Sequence, residues 1–285
     1  MKRVLLVGNR SIVGQAVCKS FQNKGWAVTK AGRNGADVFL DLAQEYNIPP
    51  QVGIHDTIVF VAADFGGEDG GDLDRAERVN ALGALHACRW ATEIGARHVV
   101  VVSSIFATYH PADPYFGAYA LTKRHGEELT HFYCGTVSLP LTILRPTQIY
   151  NDDGSCRKHQ GFFYTVIDRA AEGKDIEIFG THDAKRNYIH LADVSEIIVR
   201  VVSSRLEGIF DCSSPSDTAV SELATIAQSV YGRGGQIRFL KSRPNLTDLP
   251  DRSGERLFQA LDFRPCIRLE DGIRRIKEYR EALLP

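Results

Sequence analysis

The stretch VLLVGNRSIVG, residues 4–14, places a short apolar run directly before a glycine-rich loop. The apolar run predicts a buried strand, and apolar residues at helical spacing after the loop predict a helix. Gly8 permits a tight turn, and Gly14 lets the helix pack on the strand while its exposed N–H groups face a pyrophosphate. Ser11, at the middle of the loop, is small enough to keep that approach open. The stretch therefore predicts a dinucleotide-binding unit, with a plain βα connection as the alternative.

Apolar runs alternate with helical patterns over the first half of the chain. Runs that are apolar on both faces and linked by helices indicate a parallel sheet covered on both sides. We therefore predict an α/β fold, a Rossmann-type doubly wound parallel sheet with a smaller C-terminal lobe. The predicted strands after the first are WAVT, DVFLDL, TIVFVAA, HVVVVSS and LTILRP, and helices are predicted around residues 75–94 and 119–132.

The pattern changes after Pro146, where the polar, turn-rich stretch NDDGSCRKHQG is followed by shorter elements. These include strands at IEIF and IFDC, a helix from Ser221 and a final helix in LEDGIRRIKEY. We place a domain boundary here. Residues 1–147, with a return near 188–212, form the nucleotide-binding domain, and residues 148–285 form mainly a second lobe.

The overall composition excludes several classes of function. The 34 Lys and Arg residues and the 35 Asp and Glu residues leave a formal net charge of -1, which gives no basic field for nucleic acid or an anionic membrane. The six cysteines are scattered, without a spacing typical of zinc, so we expect reduced thiols and no metal. The first apolar run is too short for a signal peptide, and no segment approaches the ~18 apolar residues of a membrane span. We expect a cytoplasmic protein whose partners are small molecules.

A second motif, YALTK, places Tyr119 and Lys123 four residues apart in a predicted helix, so that both side chains share one face. The ammonium can then stand beside the phenol, favour the phenolate and lower a pKa that starts near ~10. Ser104 closes a predicted strand and can hydrogen-bond the same substrate oxygen, while Lys123 can also reach a cofactor ribose. These three residues are the predicted catalytic group, with Tyr119 as the proton donor and acceptor.

The acidic, glycine-rich stretch DFGGEDGGD, residues 64–72, follows the FVAA strand at the predicted carboxyl edge of the sheet. A loop at that edge would overhang a bound cofactor. A mobile surface loop is the simpler interpretation, and we favour it.

Nearly the whole chain resembles one family, with the motifs in the family's order: the extended short-chain dehydrogenase/reductases, which are NAD(P)-dependent nucleotide-sugar epimerases, dehydratases and reductases. GNRSIVG resembles the family's Gly-x-x-Gly-x-x-Gly loop, and NALG and YALTK resemble its Asn-Val-x-Gly and Tyr-x-x-x-Lys motifs. In the second half, LRPTQIY, RNYIHLADV and LEDGIRRIKEY resemble family stretches. The resemblance implies an NAD(P)-binding Rossmann domain in residues 1–147, a substrate-binding lobe mainly in 148–285, and a nucleotide-diphosphate sugar as the substrate.

The resemblance also assigns roles to individual residues. It implies that Asp41 and Leu42 contact the adenine, and that Asn80 positions the active-site helix and a water beside Lys123. It implies a homodimer formed through the helices that carry Asn80 and Tyr119. The predicted cofactor-binding residues are Gly8, Arg10, Ser11, Ile12, Val13, Gly14, Arg33, Asp41, Leu42, Ala62, Ala63, Asn80 and Lys123. The predicted substrate-binding residues, whose two arginines would grip the diphosphate, are Ser104, Gln148, Arg186 and Arg243.

Departures from the family patterns narrow the range of reactions that we expect this chain to catalyse. Ile105 and Phe106 follow Ser104 where sugar 4,6-dehydratases carry an Asp-Glu pair, which disfavours elimination of water. Gln148 stands where many relatives carry asparagine near the sugar diphosphate. We predict a reductase of a nucleotide-diphosphate 4-keto-sugar, with a 4-epimerase that holds NAD(P) tightly and a non-catalytic NAD(P)-sensing relative as alternatives. The nucleotide base, the sugar and the direction of reaction stay open.

The stretch VTKAGRN determines the expected cofactor. An NAD enzyme of this fold carries an acid after the second strand for the ribose 2′-hydroxyl, whereas an NADP enzyme needs cations for a 2′-phosphate. Lys30 and Arg33 stand there, and no acid appears before Asp37. Arg10 lies on the same side of the adenosine, and its loop resembles the Gly-His-Arg-Gly loop of NADP-dependent GDP-fucose synthases. We therefore predict NADP, with NAD as the alternative, and this choice favours a reductase over an epimerase.

Overall fold

A computed structural model of the chain describes residues 2–44, 52–249 and 252–283. The strands in these ranges are β1 (Arg3–Val7), β2 (Ala27–Gly32), β3 (Val38–Phe39), β4 (Thr57–Phe60), β5 (Val99–Val102), β6 (Leu141–Pro146), β7 (Gln148–Tyr150), β8 (Ile176–Phe179), β9 (Lys185–Arg186), β10 (Tyr188–His190), β11 (Gly208–Cys212), β12 (Thr218–Ala219) and β13 (Ile237–Leu240). The α-helices are α1 (Ile12–Asn23), α2 (Gly70–Glu77), α3 (Gly83–Glu93), α4 (Ala118–Val137), α5 (Gly161–Glu172), α6 (Leu191–Ser204), α7 (Val220–Tyr231), α8 (Glu255–Leu261) and α9 (Leu269–Ala282). Shorter helical turns are a π-helical turn at Arg78–Leu82 and 3-10 turns at Ile105–Thr108 and Ser155–Lys158.

Seven strands form one sheet in the order β3-β2-β1-β4-β5-β6-β11, and every neighbouring pair in it is parallel. The strand order reverses between β1 and β4, which makes this the switch point of a doubly wound sheet. β4 and β5 are buried along their whole length, as expected for strands with helices on both faces. The core beside them includes Phe60, Val101 and Trp90 of α3. The predicted α/β fold with a Rossmann-type doubly wound parallel sheet is confirmed.

The helix predicted around residues 75–94 begins earlier than expected and is interrupted. Asp69 is its N-cap, because Asp69 Oδ1 accepts a hydrogen bond from Asp72 N at 2.7 Å. α2 therefore begins at Gly70, inside a stretch whose glycines indicated a loop. The π-helical turn at Arg78–Leu82 then separates α2 from α3, and such turns often occur at functional sites.

Other predicted elements are confirmed with different bounds. DVFLDL forms a strand only at Val38–Phe39, and TIVFVAA only at Thr57–Phe60. The helix predicted for residues 119–132 is α4, which continues to Val137.

The second half of the chain contributes both to the large sheet and to separate pairs of strands. β11 lies beside β6 in the large sheet, within the predicted return over 188–212. Tyr188–His190, at the start of that range, pairs instead with β7. Two further pairs are β8 with β13, which is parallel, and β9 with β12, which is antiparallel.

The chain divides into two compact units. The first comprises Met1–Pro146, Ser195–Cys212 and Gln259–Asp262. The second comprises Thr147–Val194, Ser213–Phe258 and Phe263–Pro285. The assignment of cofactor binding to residues 1–147 and of substrate binding to residues 148–285 stays a prediction. No helix in the described part of the chain has both the length and the apolar character needed to cross a membrane.

Candidate functional site

The glycine loop between β1 and α1 passes close to the end of β4. Gly8 has a φ of +97°, and a Cβ at this position would lie 2.6 Å from Ala62 N, so only glycine fits the turn. A Cβ at Gly14 would collide with the carbonyl oxygen of Gly8. The two glycines therefore make the turn after β1 and bring α1 close to it.

Ser11 occupies the middle of the loop and is the N-cap of α1. Its Oγ accepts a hydrogen bond from Gly14 N and donates one to Gly8 O, both at 2.9 Å. No acidic residue lies in the first turn of α1, which begins at Ile12. Because the first N–H groups of a helix lack intrahelical partners, those of Ile12 and Val13 stand at an end that favours an anion. Serine thus takes the place of a glycine without opening the loop.

A cleft of about 460 Å³ opens at the carboxyl ends of β1, β2 and β4. It lies at the switch point of the sheet, where open α/β folds bind their ligands. The predicted cofactor-binding residues that line this cleft are Gly8, Arg10, Ser11, Arg33, Asp41, Leu42, Ala62 and Ala63. The predicted cofactor-binding residues outside its lining are Ile12, Val13, Gly14, Asn80 and Lys123.

Two of the three predicted cations reach the cleft. Arg10 and Arg33 line it, and when the Asn34 amide donates to Arg33 O, its oxygen accepts from Arg10 Nη1 at 2.8 Å. Lys30 is outside the lining, with its Nζ 3.8 Å from the Asp37 carboxylate. That carboxylate also accepts a hydrogen bond from Lys30 N at 2.8 Å. Because Lys30, within β2, pairs with Asp37 in the turn that follows, the prediction that it lies beside Arg10 and Arg33 in the cleft is corrected.

Asn9 connects the glycine loop to the segment after β2, and the sequence analysis did not single it out. Its side chain is buried, and its Nδ2 donates to Gly35 O at 3.0 Å and to Asn34 O at 3.3 Å. The same segment carries Arg33, so Asn9 fixes the distance between that cation and the loop that carries Arg10. The only indication in the sequence was that Asn9 is a polar residue inside a glycine loop. Its hydrogen-bond partners lie 25 and 26 residues away, so spacing does not reveal them.

Ser104, Tyr119 and Lys123 come together in the first unit. Ser104 follows β5 and begins a 3-10 turn, and its Oγ accepts a hydrogen bond from Phe106 N at 3.3 Å. Tyr119 lies in the first turn of α4, and Lys123, one turn later, has its Nζ 5.9 Å from the centre of the Tyr119 ring. Burial raises the pKa of Tyr119 to about 12, and a hydrogen bond with the Ser104 side chain acts in the lowering direction. The three side chains form one polar group at the end of β5.

The ammonium of Lys123 lies among main-chain carbonyls. Its Nζ donates to Val102 O at 3.1 Å and to Ala62 O at 3.3 Å. Burial lowers the pKa of Lys123 to about 8, and the carboxylate of Glu127 acts in the raising direction. The sequence predicts that Lys123 lowers the pKa of Tyr119. The structure differs, because burial of the phenol raises that pKa instead.

Asn80 lies in the π-helical turn and connects α4 to the loop after β4. Its Nδ2 donates to Thr122 Oγ1 at 2.9 Å and to Asp64 O at 2.6 Å, and its Oδ1 accepts from Asp64 N at 2.9 Å. A Cβ at Gly126 would lie 2.6 Å from Asn80 O, so glycine lets α4 pack against the turn. Asn80 therefore holds the helix of the candidate catalytic residues and also fixes Asp64, a residue that the sequence analysis did not select.

The stretch 64–72 is a loop as far as Asp69, and hydrogen bonds of Asp64 hold this loop in place. The Asp64 carboxylate accepts hydrogen bonds from Gly66 N at 2.8 Å and from Arg75 Nε at 2.7 Å. Burial acts to raise the pKa of Asp64, but these hydrogen bonds outweigh it and the pKa is lowered. Asp64 and Arg75 both line the cleft. The sequence signal for Asp64 is an acid directly after the predicted strand TIVFVAA, at the carboxyl edge of the sheet.

Two predicted substrate-binding residues of the second unit make contacts within that unit. Gln148 Nε2 donates to Gln160 Oε1 at 3.0 Å. Arg186 is buried, and its Nη1 donates to Lys185 O at 2.8 Å and to Thr247 O at 2.6 Å. The Nη1 group of Arg186 therefore stabilises the main chain of the second unit. The family motif alone does not indicate this structural role.

Arg243, the third predicted substrate-binding residue of the second unit, is exposed. Its guanidinium lies 5.6 Å from the centre of the Phe179 ring. Its head group is accessible to solvent, so an anionic ligand could reach it. Among the residues that the structure describes, no group of three or more His, Cys, Asp or Glu side chains is arranged to hold a metal ion.

Comparison with known proteins identifies the family. Residues 4–210, well over half of the chain, match the NAD dependent epimerase/dehydratase family. The chain belongs to this family.

Relatives within the NAD dependent epimerase/dehydratase family carry different activities in their names. A UDP-glucose 4-epimerase of Mycolicibacterium smegmatis is 24% identical over 218 residues, which cover 70% of this chain and 68% of that protein. A dTDP-4-dehydro-6-deoxy-D-allose reductase of Streptomyces bikiniensis is 24% identical over 233 residues, or 74% of this chain and 70% of that protein. The crystal structure of the Thermus thermophilus UDP-glucose 4-epimerase with NAD has a TM-score of 0.74 at 18% identity, covering 99% of this chain and 100% of that one. The structural likeness supports the shared fold.

The site of this family member fits a nicotinamide dinucleotide. Gly8 and Gly14 leave a cradle that a Cβ would fill, and the N-terminus of α1 opens beside it without an acidic residue. Arg10 and Arg33 supply positive charge in the cleft, while Ala62 and Ala63 line it with small side chains. Anionic phosphates and a flat base suit such a surface.

Proposed function

We propose that this chain is an NADP-dependent reductase that acts on the 4-keto group of a nucleotide-diphosphate sugar. The observation that carries the proposal is the pair Arg10 and Arg33, which line the cleft where β2 ends. Asp37, the first acid after β2, lies outside the cleft lining and is paired with Lys30. The position of these two cations supports a preference for NADP, because an NADP enzyme needs positive charge for the 2′-phosphate. Net reduction draws on NADPH, so this preference favours a reductase.

The proposed chemistry uses the group at the end of β5. Bound NADPH would supply the hydride for the carbonyl carbon. The Tyr119 hydroxyl donates its proton to the substrate oxygen, so that the 4-keto group becomes a hydroxyl and the tyrosine becomes a phenolate. Ser104 donates a hydrogen bond to the same oxygen and polarises it. The Lys123 ammonium stabilises the phenolate by Coulomb attraction until a proton from solvent restores the hydroxyl.

We assign the binding of the sugar diphosphate to the second unit. Arg186 and Arg243 are the candidates for the two phosphates, since guanidinium forks match phosphate oxygens. Gln148 is the candidate for the sugar side of the diphosphate. Support for this substrate class comes from the relatives above, whose names specify UDP-glucose and a dTDP-keto-sugar.

A 4-epimerase is the second candidate, and a specific observation favours it. The M. smegmatis relative and the T. thermophilus structure are both UDP-glucose 4-epimerases, and the latter binds NAD. An epimerase removes and returns one hydride and consumes no cofactor. A non-catalytic sensor is the third candidate, and the grouping of Ser104, Tyr119 and Lys123 argues against it.

The test is to measure turnover with two sets of substrates. One set contains UDP-, GDP-, CDP- and dTDP-4-keto-sugars with NADPH, and the other contains the corresponding sugars without added cofactor. Substrates are first selected by protection of the protein against thermal unfolding. The proposal expects consumption of one NADPH per 4-keto-sugar. Interconversion of two 4-hydroxy sugars without consumption of cofactor would replace the reductase by the epimerase.

A further inference from the structure

A phenylalanine outside the family motifs stacks on the candidate proton donor. The ring of Phe65 lies parallel to the ring of Tyr119, with their centres 4.6 Å apart and their planes at 13°. Phe65 is nevertheless 46% exposed. On another side, Phe106 contacts Tyr119 edge-on at 6.3 Å and 63°. The phenol ring is therefore held between two aromatic side chains, one of which belongs to a surface loop.

The position of Phe65 is fixed by its neighbours in the chain. Asp64 is tied through both its N–H and its carbonyl to the Asn80 side chain, at 2.9 and 2.6 Å. The Asp64 carboxylate holds Gly66 N at 2.8 Å and Arg75 Nε at 2.7 Å. These contacts fix the main chain on both sides of Phe65, so the ring keeps its place without being buried.

Gly66 brings this loop against the start of α4. It has a φ of +68°, and a Cβ there would lie 2.7 Å from the Cβ of Ala118. Ala118 directly precedes Tyr119, so the loop and the first turn of α4 meet where the two rings stack. A larger residue at this position would force the loop outward and separate the rings.

We propose that Phe65 is a positioning residue for Tyr119. Its ring covers one face of the phenol, holds the hydroxyl in one direction beside Ser104 and keeps water from that face. The hydrogen bonds among Asp64, Asn80 and Arg75 hold the loop that carries this ring. This inference rests on the proposed role of Tyr119 as the proton donor, and it gives the structured loop after β4 a function in the site.

The consequence is a specific effect on the ionisation of Tyr119. Burial raises the pKa of this phenol to about 12, and the Phe65 ring is part of what covers it. Without the ring, water solvates the phenolate and the pKa falls toward the ordinary value near ~10.

The test is a pH titration of protein labelled with carbon-13 at the ζ carbon of tyrosine, with Tyr119→Phe to assign the signal. In wild type, the Tyr119 signal should stay that of a neutral phenol up to pH ~10.5, because most of the group remains protonated there. In Phe65→Ala it should shift within that range. Phe65→Leu, which keeps apolar bulk without a ring, guards against a collapsed loop and should shift to a smaller extent. Phe39→Ala, at a side chain 71% exposed in β3, should match wild type.

Kinetics give the second readout. Phe65→Ala should lower kcat by about tenfold and leave KM for the substrate within about twofold, and Phe65→Tyr should restore kcat. Unchanged ionisation of Tyr119 in Phe65→Ala would overturn the positioning role, and so would a loss expressed only in KM. A protein that turns over no nucleotide sugar would refute the proposed function, and the titration would still decide the inference about Phe65.

Discussion

The Nζ of Lys123 lies 5.9 Å from the centre of the Tyr119 ring and is held by the carbonyl oxygen of Val102 at 3.1 Å. The ammonium is thus fixed by the ends of the strands and does not depend on the phenol for its place. Its charge can act on Tyr119 while Nζ also donates to Ala62 O at 3.3 Å. The roles of Tyr119 and Lys123 can therefore be tested separately.

Tyr119→Phe removes the hydroxyl and keeps the ring that stacks on Phe65. We expect kcat to fall by at least ~100-fold, because the proton donor is lost, while the affinity for the dinucleotide stays near that of wild type. Steady-state kinetics and a binding titration measure the two effects. Tyr115→Phe, in the segment before α4, is the matched control. Retained turnover in Tyr119→Phe would remove Tyr119 from the mechanism.

The charge of Lys123 should limit binding of the dinucleotide at high pH. Burial lowers the pKa of this ammonium to about 8, so the charge is present below that pH and is lost as pH rises through it. Affinity for NADPH should therefore weaken above this pH. Glu127→Gln removes a negative charge that raises the pKa of Lys123, so the weakening should begin at lower pH. Glu128→Gln, at the exposed neighbour, is the control.

An affinity that is equally independent of pH in all three proteins would contradict this electrostatic account of Lys123. Glu127 is also bound by Arg145 Nε at 3.0 Å, so thermal unfolding of Glu127→Gln should be measured alongside. A shift of the pH limit in a folded Glu127→Gln variant separates the effect on Lys123 from a loss of stability.

Arg186 is best tested with Arg186→Lys, which keeps a positive charge and loses the guanidinium fork. Because the side chain is buried and donates to Thr247 O, Arg186→Ala would also destabilise the second unit, by ~1–3 kcal/mol. We expect Arg186→Lys to raise KM for the nucleotide sugar by about tenfold. Arg243→Lys, at an exposed site, is compared in parallel. A lower midpoint of thermal unfolding with unchanged KM would make Arg186 purely structural.

The family resemblance predicts a homodimer formed through the helices that carry Asn80 and Tyr119. Phe132 is 74% exposed and Val137 is 40% exposed on α4, and Leu73 is 40% exposed on α2, which directly precedes the π-helical turn of Asn80. Association of two copies would remove these apolar side chains from water. Light scattering at micromolar concentration should give the mass of a dimer, and Phe132→Asp should shift it toward a monomer. A monomeric wild type would contradict the proposal.

The sequence predicted the parts of the site that depend on local geometry. The sequence indicates Gly8 and Gly14 because a tight turn and a closely packed helix require glycine. It indicates Tyr119 and Lys123 because a four-residue spacing places both side chains on one helix face. The contact of Asp64 with Asn80 and those of Asn9 with Asn34 and Gly35 could not be predicted in this way, since these partners lie 16 to 26 residues away. The sequence also groups Lys30 with Arg33, whereas Lys30 pairs with Asp37, seven residues along the chain, and lies outside the cleft lining. Contacts between side chains, which spacing along the sequence does not indicate, therefore determine the positions of these residues.

The central claim is that Arg10 and Arg33 select NADP, and affinity for the two reduced cofactors tests it most directly. NADPH and NADH are titrated into wild type, the double variant Arg10→Ala with Arg33→Ala, and Lys30→Ala as a control cation outside the cleft. Because hydrogen bonds to charged groups contribute ~1.5–3 kcal/mol each, wild type should bind NADPH at least ~tenfold more tightly than NADH. The double variant should lose that difference, and Lys30→Ala should keep it. Equal affinity of wild type for NADPH and NADH would contradict the claim and favour the epimerase.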